Sequence, residues 1–367
     1  MATTIGLPSL TIVFQAAAQA AANRSKRGYV GVFVRDTQAQ GVHQLSSAAL
    51  IPGELGEDNQ AYLARAFEGS DRGGPSRVTA VVIATGATDT TALAAGLKRI
   101  EGMSLDYIVG PPDVTAQEKT LLEEWVEARR AAYFTEKLVE PNPASPPDSM
   151  GVIAFTETDG DLAAGSETYT AAEYASRIAG ILAGTPMGMS ATYAPLPELT
   201  AVTARSVEEQ EEAVNDGELI LIHDGSKAKI ARGVNSLTTI PSDGNPDWSK
   251  IKIVEGMDLI TYYLRTTIQD EYVGRYPNTY DNKQILVTAV SAYFSYLEGA
   301  GVLNPGESWV EIDVEAQAKW LQSQGVETGG MTEQEIREAQ TGSWVFLKGG
   351  GRMVDAMEDF QVSFSNL

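Results

Sequence analysis

Apolar residues alternate with polar ones near both ends of the chain and fall at helical spacing in between. Near the start, Leu10, Ile12 and Phe14 share one side of an extended strand that begins at Gly6. Near the end, Phe360, Val362 and Phe364 alternate in the same way. The interior predicts strands at Val78 to Ala84, Leu105 to Val109 and Tyr133 to Val139, with helices at Thr90 to Ile100 and Ala116 to Ala131 between them. Strands separated by helices of this length favour a mostly parallel sheet with right-handed crossovers. A proline-rich stretch from Glu140 to Asp148 interrupts regular structure, because proline removes a donor and fixes φ. A strand from Gly151 to Phe155 and a helix from Ala171 to Ala183 follow.

Beyond Pro195 and Pro197 the pattern changes, which places a domain boundary near residue 200. Ser206 with Glu209 three residues on reads as a capping box, and Gly217 closes the helix they start. Strands at Glu218 to His223 and Ala228 to Val234 meet through Asp224, Gly225 and Ser226, a hairpin signal. Two amphipathic helices are expected at Met257 to Tyr272 and Asn282 to Gly299, the second capped by Asp281 and packed through Ile285, Leu286, Ala289, Ala292, Tyr293, Tyr296 and Leu297. Ser343 to Lys348 is strand-like. Gly349, Gly350 and Gly351 can take φ angles closed to other residues. The second half is therefore α+β where the first is α/β.

Charge narrows the classes of function. A net charge of −22 opposes broad contact with nucleic acid or anionic membranes, since phosphate binding runs on Lys and Arg. Residues 1 to 35 invert that balance with four cations and no acid, which suits an arm lying on an acidic neighbour or a solvated tail. No cysteine is present, and His43 and His223 have no ligand-spaced companions, so no metal or thiolate site is expected. The order of apolar and basic residues at the N-terminus reverses that of a secretory signal, and no run reaches the length of a membrane helix. Gly86 to Asp89 lies where a dinucleotide fingerprint would sit but lacks its spacing. Glu208, Glu209, Glu211 and Glu212 crowd one exposed helix, where nothing separates their pKa values. No catalytic or cofactor-binding residue is nominated.

The run Gly329-Gly-Met-Thr-Glu-Gln-Glu-Ile-Arg-Glu-Ala-Gln-Thr-Gly-Ser-Trp-Val-Phe-Leu-Lys348, followed by Val354 to Phe364, resembles the terminus of contractile phage tail sheath proteins. It is most similar to the short sheaths of Gram-positive myophages, defective prophages and phage-tail-like bacteriocins. The Gly6 strand, the Gly217 to Val234 hairpin and Tyr272 to Asn282 agree in order. The resemblance implies a multi-domain fold with an N-terminal arm at 1–27, an outer α/β domain at 28–200, an inner tube-facing α+β domain at 201–350 and a C-terminal arm at 351–367.

It also implies a structural protein and not an enzyme. Copies would stack as hexameric rings around a tail tube protein, with baseplate and tail-terminator proteins as further partners, in a virion or tail-like particle built in the bacterial host cytoplasm. Neither nucleic acid nor membrane is a partner. Leu10, Ile12, Phe14, Phe360, Val362 and Phe364 would anchor the arms on neighbouring copies, Gly28 and Gly349 to Gly351 would act as hinges, and Arg275 and Lys283 would touch the tube. On the residues alone, an α/β enzyme or nucleotide-binding protein and another self-assembling virion or baseplate component stay open.

Overall fold

A seven-stranded sheet organises the larger part of the computed structural model, which describes residues 28–86, 90–240, 242 and 244–365. In chain order its strands are β1 (Tyr29–Arg35), β2 (Gly41–Leu45), β3 (Arg77–Ile83), β4 (Tyr107–Val109), β5 (Lys137–Pro141), β6 (Val152–Phe155) and, after three short strands, β10 (Glu218–Leu219). The spatial order is β10-β6-β5-β4-β1-β3-β2. All neighbours run parallel except β2, which pairs antiparallel with β3.

The strand period of two sorts side chains to opposite faces. From β1, Val30, Val32 and Val34 enter one core, with Val78, Ala80 and Val82 of β3. Phe33, Val81 and Ile83 enter the other. Helices α1 (Glu57–Phe67) and α4 (Ala171–Gly184) cover the first face, through Tyr62, Leu63, Tyr174 and Ile178. Helices α2 (Thr91–Ile100) and α3 (Ala116–Ala131) cover the second, through Leu93, Leu97, Leu122 and Val126. Both faces of a parallel sheet need such cover. α1 and α4 touch backbone to side: a Cβ on Gly180 would lie 2.0 Å from the Ala66 carbonyl oxygen, so only glycine fits there.

The remaining strands are β7 (Leu162–Ala164) and β8 (Glu167–Tyr169), paired with each other, and β9 (Pro195–Leu196), β11 (Leu221–His223) and β12 (Ala228–Ile230), which form a small sheet in the order β11-β12-β9. Helix α5 (Val207–Asn215) begins with the capping box read from Ser206 and Glu209. The segment expected as one strand from Glu218 to His223 splits at Ile220: Glu218 and Leu219 extend the large sheet, and Leu221 to His223 form the hairpin with β12. The large sheet thus takes a strand from beyond residue 200. By compactness, 28–259 belongs to one unit together with 355–365, and 260–354 to another. The division falls inside α6 (Ile251–Thr267).

A buried ionic cluster fastens the first half of α6 to the sheet. Lys137 of β5, wholly buried, places its ammonium 2.9 Å from Glu255 and 2.8 Å from Asp258. Arg130 of α3 forks onto both oxygens of Asp258 at 3.1 and 2.9 Å, and the Tyr107 hydroxyl donates to Glu255 at 2.5 Å. Such a cluster offsets its own desolvation only while complete. Asp258→Ala is expected to cost about 3–5 kcal/mol by leaving Lys137 and Arg130 short of a partner; urea denaturation would measure it, and a loss below about 1 kcal/mol would show that the cluster contributes little.

Glu140 of β5 faces Glu123 of α3 and has one oxygen without a hydrogen-bond partner. Burial first, then the Glu123 carboxylate, push its carboxyl up from 4.5 to about 8, against the opposing pull of Lys119. A raised acid stabilises the fold while protonated, so this contribution is whole below 4.5 and lost as pH rises through about 8. Unfolding free energy should therefore fall from about pH 5 to about pH 9 in the parent more than in Glu140→Gln; parallel curves for the two would refute the assignment.

Candidate assembly surface

In the unit spanning 260–354, helix α7 (Tyr280–Gly299) supplies the core. Leu286, Ala289, Val290, Tyr293, Phe294 and Leu297 are buried, whereas Ile285 and Tyr296, also expected in the core, are exposed; Tyr293 stacks on Tyr263 with ring centroids 3.4 Å apart. Its N-cap is Thr279, whose hydroxyl accepts from the Asn282 amide; the expected cap, Asp281, sits instead in the first turn, where it complements the helix dipole. Helices α8 (Val314–Ser323) and α9 (Glu333–Glu338) complete the helical part.

Strands β13 (Trp309–Ile312) and β14 (Leu347–Gly350) pair antiparallel, with Trp309 opposite Gly350 and Ile312 opposite Leu347. Lys348 meets Glu311 across the pair at 3.3 Å. Among the described residues neither strand has a second strand partner. The glycines have a reason other than the one the sequence offered. Gly349 and Gly350 do not have positive φ; a Cβ on Gly349 would lie 2.8 Å from the Trp309 carbonyl oxygen and one on Gly350 2.9 Å from the indole Nε1. Absence of a side chain lets Trp309 lie across the opposite strand. Gly28 does have φ +104, and its amide is held by the Asp106 carboxylate at 2.7 Å.

The two residues expected to touch a tube are treated very differently. Lys283 is buried: its ammonium donates to Gln317 Oε1 and Thr341 Oγ1, each at 3.1 Å, and burial lowers its pKa. It is part of an interior hub, with Gln317 in turn donating to the carbonyls of Ile336 and Arg337, and is withdrawn as a surface contact. The expectation failed because a lysine at the start of an amphipathic helix reads as solvated. Arg275 is exposed and pairs with Glu271 at 3.4 Å. Nearby, Asn278 fastens its loop to the segment before β14 through Thr341, Gly342 and Trp344. Val273, Tyr276 and Trp344 stay exposed there.

At the C-terminal end, Phe360, Val362 and Phe364 are 74%, 85% and 90% exposed on backbone that belongs to no strand. Solvent-facing phenylalanine at alternate positions is a docking signal, since burying each such side chain is worth about 1.5–3 kcal/mol. Leu10, Ile12 and Phe14 lie outside the described residues. Residues 87–89 of the segment checked for a dinucleotide fingerprint also lie outside them. The carboxylates of α5 are solvent-facing, and Asp224 accepts from the Ser226 and Lys227 amides and from Lys229, which holds it well below the usual carboxylate range. These are turn and helix-surface roles.

The family described as phage tail sheath C-terminal domain matches residues 243–364. A tail sheath protein of Clostridium phage phiCD119 is 34% identical over 359 residues, covering 97% of this chain and 98% of that protein. Among solved structures, the sheath tail protein of Listeria innocua superposes with a TM-score of 0.67 at 16% identity, covering 83% of this chain and 93% of its own. The anti-feeding prophage helical sheath in its contracted state superposes with a TM-score of 0.66 at 15% identity, covering 92% and 93%.

Charge reversal separates the two cations. Lys283→Glu should destabilise the chain by about 3–5 kcal/mol, as expected for a charge buried without a partner, whereas Arg275→Glu should stay within about 0.5 kcal/mol of the parent. Denaturant midpoints measure both, and a Lys283→Glu variant as stable as the parent would return that residue to the surface.

Proposed function

The chain belongs to the phage tail sheath family, and we propose that it polymerises around a tail tube into a contractile sheath that drives the tube through a target cell envelope. It is a component of a virion or a tail-like particle. Its role is structural: the work is done by exchange of contacts between copies, and no residue is assigned a catalytic part. Copies stack as hexameric rings, with tube, baseplate and tail-terminator proteins as the other partners, in a particle assembled in the host cytoplasm.

The observation that carries this reading is the exposed alternating set Phe360, Val362 and Phe364 outside any strand, in a chain that also offers a two-stranded sheet with no further strand among the described residues. An extended segment can add to such an edge, with main-chain hydrogen bonds supplying affinity and alternate side chains supplying fit. The C-terminal arm, and with it Leu10, Ile12 and Phe14 of the N-terminal one, would complete β13 and β14 of neighbouring copies. Main-chain bonds of this kind survive while side-chain contacts between whole domains are exchanged, which two alternative lattices require. Gly28, at positive φ, and Gly351, just past β14, stand near the starts of the arms and supply the bending, while Gly349 and Gly350 stay paired in β14. The region expected as inner faces the tube, with Arg275 as a contact.

Replacing Phe360, Val362 and Phe364 together by serine should leave unfolding within about 0.5 kcal/mol of the parent, because all three are exposed. The same variant should form no long hollow cylinders in negative-stain micrographs under conditions where the parent does. Cylinders of parental length from the variant would sink the arm assignment. Discrete closed particles from the parent, in place of open cylinders, would sink the sheath reading.

A further inference from the structure

Three of the five residues before the exposed arm are held by partners. Asp355, Glu358 and Asp359 return to the sheet unit and are met there by three separate groups. Lys250 pairs with Asp355. The Arg232 guanidinium reaches Glu358 at 3.3 Å and Asp359 at 2.7 Å. The Thr192 hydroxyl donates to Glu358 at 2.7 Å, while itself accepting from the Gly233 amide at 2.9 Å. Glu358 is the anchor, with its side chain only 10% exposed, whereas Asp359 is 81% exposed. Beyond Asp359 exposure is continuous from Phe360 to Ser365.

We infer that residues 355–359 form a polar clasp on the chain's own sheet unit, which fixes the root of the C-terminal arm and so sets where Phe360, Val362 and Phe364 are offered to a second copy. The inference rests on the sheath reading for its purpose and on the contacts above for its existence. Its physical effect is on reach. With the clasp closed, the free stretch from Asp359 to Phe364 spans about 17 Å at ~3.4 Å per residue. Opened back to Val354, the same side chain swings on about 34 Å. Doubling the reach lets the arm explore about eight times the volume, which dilutes it around its docking edge by the same factor. It also returns to the tether the backbone freedom that docking must remove again.

The clasp has a built-in gradient of strength. The Asp359 contact is at the surface and screened by salt; the Glu358 contact is nearly buried and screened less. Pulling on the arm therefore releases its outermost contact first and meets more resistance at Glu358. An arm that must stay attached while two copies move relative to each other gains slack in steps.

The chain has no cysteine, so two introduced ones, Ser226→Cys in the β11–β12 turn and Met357→Cys at an exposed position within the clasp, can carry spin labels uniquely. Pulsed dipolar spectroscopy on the unassembled full chain should show a single narrow distance distribution. Arg232→Glu should broaden it at least about twofold, and adding Glu358→Lys and Asp359→Lys should narrow it again, as the charge pairs are re-formed in reverse. In the same variants without labels, the concentration at which cylinders first appear should rise by up to about eightfold with Arg232→Glu and return with the compensating pair. A parent distribution as broad as that of Arg232→Glu would overturn the clasp, and broadening with no change in the onset of assembly would overturn its role. A narrow parent distribution in a chain that never forms cylinders would uphold the clasp and reject the sheath reading, so the two fail separately.

Discussion

A backbone amide or carbonyl removed from water must find a partner, and the two parts of this molecule meet that demand in opposite ways. In the sheet unit it is met within the chain: seven strands pair in register, helices cover both faces, and the core residues of β1 and β3 are wholly buried. In the unit spanning 260–354, β13 and β14 have only each other among the described residues, and no described residue after Val354 lies in a strand. A two-stranded ribbon is marginal by itself and needs further strands or helix packing. Here α7 packs against β13. Open edges are normally blunted or covered because they invite association, and the proposed arm docking would use that tendency.

The rigid part is made rigid by polar groups as much as by apolar ones. Lys137, Arg130, Asp258, Glu255 and Tyr107 form a cluster whose members cannot be solvated separately, so α6 cannot lift from β5 without exposing or stranding charge. Arg177 with Glu198, and Arg205 with Glu157, do the same for α4 and for the segment leading to α5. Paired charges of this kind add little net stability, but they penalise any alternative packing in which a partner is lost. For a subunit that must keep its shape while its contacts to other copies change, specificity of packing matters more than added stability.

Much of this was legible in the chain because its signals are local. Helix α3 was read at its observed ends, since Thr115 and Glu118 cap it and its apolar spacing is regular. Strands β3, β4 and β6 were read to within two residues, because buried parallel strands are short apolar runs bounded by turns. What failed depended on long-range partners. The kink at Ile220 that sends Glu218 and Leu219 to the large sheet has no local mark. Lys283 looks solvated until Gln317 and Thr341 close over it. Gly349 and Gly350 were read for backbone freedom, whereas they make room for Trp309, some forty residues earlier in the chain. The clasp was missed for the same reason: Asp355, Glu358 and Asp359 read as ordinary surface acids until Arg232, Lys250 and Thr192 are brought beside them.

Net charge sets the last constraint. Copies carrying −22 each repel one another, so whatever joins them must draw on forces that like charge does not cancel. Strands donated as proposed would meet that need, because main-chain hydrogen bonds and buried phenylalanine owe nothing to net charge. Salt then acts on such a chain in two opposing senses. Screening relieves the repulsion between copies and favours the lattice, while it weakens the surface contacts of Arg232 and Lys250 that hold the arm's root. Because Glu358 is largely buried, the second effect is the smaller, and the arm keeps its origin under ionic conditions in which its neighbours approach most easily. On the proposed reading, net negative charge, an apolar C-terminal arm and a half-buried clasp act together: like charge holds free copies apart, and the donated strand joins them.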